Sequence, residues 1–107
     1  MQTQSARILF VAAALVAAGA ARAQDTANGQ RIAQVTCSNC HLVDPQNRKA
    51  GSEAAPTFSS IARMASTTEM SLAVFLSTTH GRMPDLILSG TEIQDVSAYI
   101  LSLRKLP

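Results

Sequence analysis

Both cysteines of the chain and one of its two histidines fall within five consecutive residues, Cys37-Ser38-Asn39-Cys40-His41. Thiols and an imidazole at that density could do three kinds of chemistry. A redox dithiol of the Cys-x-x-Cys type usually sits in a βαβ setting, and nothing in this chain alternates strands with crossover helices. A zinc site could be assembled from Cys37, Cys40, His41 and His80, but adjacent side chains at 40 and 41 point in different directions, which suits one tetrahedron poorly. The third chemistry uses every residue where it stands. Two thiols three residues apart lie about one helical turn apart on the same face, so both can form thioethers with the two vinyl groups of a haem. The next residue, His41, is then carried over the porphyrin plane. Cys-x-x-Cys-His is the signature of covalent haem attachment. The expected cofactor is one haem c, bound through Cys37 and Cys40 with His41 on the iron.

A second axial ligand has to come from elsewhere in the chain. Met64, Met70, His80 and Met83 are the candidates downstream. Met64 and Met70 lie among apolar residues at helical spacing and read as core filler, a common use of methionine. Met83 sits in HGRMPDL, 42 residues beyond His41, in a loop between two predicted helices. Pro84 restrains Met83 to an extended backbone, which suits a side chain presented from a stiff loop. Met83 is therefore the expected sixth ligand. His80, in the same loop, is its rival, since a second imidazole needs only a shift of that loop.

The elements that must position these residues read as helices. Asp25 or Thr26 can cap a first helix over 27–35, with Ile32 and Val35 inward, that runs straight into the cysteine motif. Residues 44–56 (DPQNRKAGSEAAP) are polar, contain glycine and two prolines, and read as a loop. A short helix is expected over 57–64. Ser66 and Glu69 have capping-box spacing and predict a helix of about ten residues with Leu72, Phe75 and Leu76 as its apolar stripe. Ser89 and Glu92 form another such pair, with Leu88 placed to staple onto Ile93. The last helix carries Ile93, Val96, Tyr99, Ile100 and Leu103 at helical spacing, and Arg104 and Lys105 at its negative end.

The first 23 residues stand apart. One arginine, Arg7, precedes the uncharged and mostly apolar run from Ile8 to Ala21, and Ala21-Arg22-Ala23 offers a cleavage site. The run is shorter than the roughly 20 residues a membrane span needs. Residues 1–23 read as a cleaved signal peptide, which leaves 24–107 as one exported domain, expected in a bacterial periplasm without stable membrane insertion. Without Arg7 and Arg22, seven basic residues face seven acidic ones. The basic stripe of a nucleic-acid-binding domain is missing. With Phe58, Phe75 and Tyr99 as its only aromatics, so small a domain has a thin core, and a bound prosthetic group would thicken it.

Taken together, these features resemble the small class I c-type cytochromes over essentially all of residues 24–107. The resemblance implies an all-α fold, a wrap of about four short helices around one covalently bound haem, with the N- and C-terminal helices crossing. Gly29 matches the glycine that lets the first helix approach an aromatic on the last, here Tyr99. Pro56, in AAPTF, matches the proline whose carbonyl accepts a hydrogen bond from the ligand histidine. Met83-Pro84 matches the axial methionine loop. Ala33 departs from the pattern, because many members have an aromatic there, and implies a lighter contact between the two helices.

An iron held by histidine and methionine has no vacant position for substrate, and both ligands can stay in place as it changes oxidation state. A periplasmic one-electron carrier is expected, taking electrons from a dehydrogenase or quinol-oxidising complex and passing them to an oxidase or reductase. With few lysines, its docking contact should be mostly apolar and weakly dependent on salt. A dedicated haem subunit of a periplasmic dehydrogenase would use the same chemistry in a stable complex. A gas-binding or peroxidatic haem protein would require an open sixth position. As a carrier the chain would be a monomer; as a subunit, part of a heteromer.

Overall fold

The computed structural model describes residues 22–106, so the expected signal peptide lies almost wholly outside the described residues. Four α-helices follow one another: α1 (Thr26–Thr36), α2 (Phe58–Arg63), α3 (Glu69–Ser77) and α4 (Gly90–Ser102), with single 3-10 turns at Arg48–Ala50 and Leu103–Lys105. Among the described residues there is no strand, and no helix is long and apolar enough to cross a membrane. The fold is all-α, as the patterning predicts.

Helix α1 begins at Asp25, whose carboxylate accepts the Asn28 N–H at 2.9 Å, one of the free donors that every helix start must satisfy. Its buried stripe runs through Gly29, Ile32 and Ala33 to Cys37. Val35, expected on that stripe, is 73% exposed. At about 100° per residue, position 35 falls roughly a third of a turn away from the stripe. Helix α3 also differs in detail. Its capping box is formed by Thr68 and Ser71, through bonds of 3.0 and 2.8 Å, rather than by Ser66 and Glu69. The chain is still turning at Thr67, whose N–H reaches back to the Met64 carbonyl and whose side chain is buried. The Ser89–Glu92 box of α4 forms as expected, and hydrogen bonds from Ser89 hold the Glu92 carboxyl below its ordinary range.

Every predicted inward residue of α4 is buried, from Ile93 to Leu103. This helix packs most extensively against α1 and also meets α2 and α3. The α1–α4 contact centres on Gly29. A Cβ there would overlap the Asp95 carbonyl and come within 3.0 Å of the Tyr99 Cβ, so only glycine lets the backbones approach this closely. Ala33, next along the same face, has no exposed surface, and a methyl is what this contact holds.

Polar groups lock the same junction. Asp95 is fully buried. Its carboxylate accepts the Asp25 N–H and the Asn28 side-chain amide, both at 2.8 Å, and lies 3.4 Å from the Arg22 guanidinium. Those hydrogen bonds, the Asp25 amide first, hold the carboxyl below its ordinary range. The Tyr99 hydroxyl donates to the Val43 carbonyl at 2.6 Å, and burial, aided by the charge of Asp44, pushes its pKa up to about 12. Arg104 does more than complement a helix end. Its guanidinium binds the carbonyls of Ala62 and Thr67, tying the end of α4 to the turn between α2 and α3.

Candidate functional site

The cysteine motif is held in a turn that continues α1. The Cys37 N–H bonds the Ala33 carbonyl at 2.8 Å, and the N–H groups of Cys40 and His41 both return to the Cys37 carbonyl, at 3.2 and 3.0 Å. Cys37 is buried and Cys40 exposed. Burial pushes the Cys37 thiol up to about 11. A redox-active thiol needs the opposite, a depressed pKa that favours thiolate, so Cys37 is not placed as an activated thiol. Zinc fares no better: among the described residues no three His, Cys, Asp or Glu side chains group to hold a metal.

His41 is oriented by the loop beyond it. Three backbone bonds pin that loop to the motif: Ser52 N–H to the His41 carbonyl at 3.2 Å, Ala55 N–H to that of Cys40 at 2.7 Å, and Phe58 N–H to that of Leu42 at 3.0 Å. Gly51 lies so close that a Cβ there would meet the His41 carbonyl at 3.1 Å. This places the Pro56 carbonyl 2.5 Å from His41 Nδ1. A carbonyl can only accept, so Nδ1 carries the proton and Nε2 keeps a lone pair in the neutral ring. The Phe58 ring, 5.3 Å from that of His41 and 6.3 Å from that of Tyr99, backs the imidazole from the core.

Beside the motif opens a cleft of about 910 Å³, near the top of the range of about 300–1,000 Å³ for small-molecule and cofactor sites. Cys37, Cys40 and His41 line it, together with Met83 and Pro84 from the loop after α3. Leu72, Phe75 and Leu76 of α3 and Val96 and Ile100 of α4 contribute to its apolar wall. An aromatic macrocycle with two vinyl groups fits this chemistry: carbon on most sides, two thiols to attach it, and an imidazole nitrogen and a thioether as soft donors.

The structure thus brings all four predicted site residues to one cavity. His80, the rival ligand, is not in its lining. Its ring stacks on Phe75, with centroids 3.7 Å apart. Met64 does line the cleft, whereas Met70 is 78% exposed on the outer face of α3, so neither is the core filler that helical spacing suggests. Sequence reasoning passed over Asp95 and Arg82. The DVSAY run gives Asp95 an α4 position next to the buried stripe, but only its partners at the start of α1 reveal its role. Arg82 carries no signal beyond its place beside Met83.

Helices wrapped on an apolar cleft, with a paired-cysteine and histidine motif at its edge, define a small haem protein of the c type. The comparisons with known proteins agree. The family model for cytochrome c matches residues 26–104. Cytochrome c-552 of Bradyrhizobium diazoefficiens is 37% identical over 97 residues, which cover 91% of this chain and 92% of that protein. No solved structure matches the chain. The chain belongs to the cytochrome c family, and its cofactor is haem c, attached through Cys37 and Cys40.

Proposed function

We propose that this protein is a periplasmic one-electron carrier, with His41 and Met83 as the axial ligands of its haem. The observation that carries this is the convergence of the two side chains on a single cleft with Cys37 and Cys40. When bound, haem supplies an iron that takes up and releases one electron. Everything else is the work of the chain. Cys37 and Cys40 hold the macrocycle against the end of α1. Pro56 keeps the proton on His41 Nδ1 and leaves Nε2 free to bind. The Leu72, Phe75, Val96 and Ile100 walls exclude water, and a thioether donor with apolar surroundings favours the ferrous state. Met83, as the second protein ligand, would keep small ligands off the iron and so favour electron transfer over catalysis.

Residues 1–23 serve as the export signal, and 24–107 form the working domain. Its electrons come from a periplasmic dehydrogenase or quinol-oxidising complex and go to an oxidase or reductase. Met70, Val74 and Phe75 are exposed apolar residues on α3, and Phe75 also borders the cleft. They support a docking contact with few charges. The test is potentiometric titration of the exported holoprotein. A reversible one-electron transition, with electron-exchange rates that change little with ionic strength, is the expected result. Steady peroxide turnover by the ferric protein would contradict it.

A further inference from the structure

Haem brings two carboxylates with it, and a cleft that binds haem must accommodate their charge. The lining of this one is largely carbon, and Arg82 is its one charged member among the described residues. Other arginines are already engaged: Arg104 with backbone carbonyls, Arg63 with the Leu106 carbonyl, Arg48 with Glu53, Arg22 with Asp95 and Arg31 with Asn28. Lys49 and Lys105 lie outside the cleft lining. Arg82 has no hydrogen bond or ion pair among the described residues, even though Asp85 follows three positions later. An unpaired guanidinium at the rim of an apolar cavity is a fork for a carboxylate.

We propose that Arg82 binds a haem propionate, and that this contact both raises the reduction potential and restrains the loop that presents Met83. The proposal rests on haem occupying the cleft between Cys37, Cys40, His41 and Met83, as described above. Two physical effects follow. A fixed positive charge near the porphyrin favours the ferrous state, which carries one positive charge fewer than the ferric. Arginine keeps its proton at every usable pH, so the bias is permanent. The second effect is mechanical. No backbone hydrogen bond reaches residues 79–88 among the described residues, so a propionate contact one residue before Met83 would supply a restraint that the polypeptide lacks.

The test compares exported wild type, Arg82→Gln and Arg82→Lys holoproteins by potentiometric titration at low and high salt, with ferric spectra recorded alongside. At a fixed ambient potential and low salt, Arg82→Gln should lower the ferrous-to-ferric ratio by about threefold to tenfold, the order expected for losing one charge at the edge of a haem. Arg82→Lys should stay close to wild type, and salt should narrow the gap. Wild type and Arg82→Lys should keep the long-wavelength ferric band of methionine–iron ligation, and Arg82→Gln, without the restraint, should show it weakened. An Arg82→Gln potential equal to that of wild type would overturn the proposal. So would loss of the band in both variants, which would make Arg82 a purely structural part of the loop. Should wild type itself lack the band, the Met83 assignment fails, while the charge-dependent shift in potential still decides the role of Arg82.

Discussion

The α1–α4 junction and the Met83 loop lie on the same small molecule and are held in opposite ways. At the junction, glycine permits backbone contact, a buried carboxylate gathers the start of α1, and Tyr99 bonds across to Val43. Every piece of that framework comes from the polypeptide. Between α3 and α4 the chain crosses residues 79–88 with no backbone hydrogen bond among the described residues. Its contacts include Arg82, Met83 and Pro84 at the cleft and Leu88 against the core. One region carries its own restraints; the other, in the function proposed above, would be completed by the cofactor. On that proposal the two divide the work: a rigid seat on the histidine side, and a methionine side that the haem would draw into place.

The contrast can be broken most severely by removing the attachment points. A Cys37→Ala, Cys40→Ala double variant should bind no haem and show no cooperative thermal transition, since Met64 and Phe75, exposed apolar residues of the cleft lining, then have only water to meet. A sharp calorimetric transition in that variant would mean that the junction alone can fold the domain. The next largest effect is expected at Gly29. A Gly29→Ala substitution drives a methyl into the Asp95 carbonyl and should cost about 3 kcal/mol in denaturant unfolding, the upper range for overpacking.

Asp95→Ala should cost about 2–3 kcal/mol, because it leaves the Asp25 N–H and the Asn28 amide without their charged acceptor. The sign of its pH dependence is fixed. A carboxyl whose folded pKa lies below its unfolded value of 3.8 contributes fully above about pH 4 and loses that contribution as pH falls through the folded value. Wild type and variant should therefore converge in stability in acid, as followed by urea unfolding across pH. Smallest is Tyr99→Phe, at about 1 kcal/mol for one hydrogen bond. In wild type the raised Tyr99 pKa makes stability decline between about pH 10 and 12, and the phenylalanine variant should lack that contribution.

The two regions were also unequally legible in the sequence. Cys37, Cys40 and His41 announce their chemistry because three scarce residue types occupy fixed positions. The apolar stripe of α4 follows from spacing, and Gly29 and Pro56 from the family's pattern. What stayed hidden depends on three-dimensional placement. A charged residue such as Asp95 reads as solvated surface until the start of α1 is brought against it. Val35 and Met70 show the reverse: apolar residues at nearly helical spacing end up exposed because a stripe about one third of a turn wide admits only some of them. The Ser66–Thr68 run offers three hydroxyls for one cap, and Thr68, paired with Ser71, takes it.

The most direct measurement is the visible spectrum of the exported protein, oxidised and reduced, with carbon monoxide then added to the reduced form, alongside Met83→Ala. Wild type should show the long-wavelength ferric band of methionine–iron ligation and leave carbon monoxide unbound, and the variant should lose the band and bind the gas. Ready carbon monoxide binding by wild type, with an unchanged spectrum in the variant, would contradict Met83 as the sixth ligand and electron carriage with it.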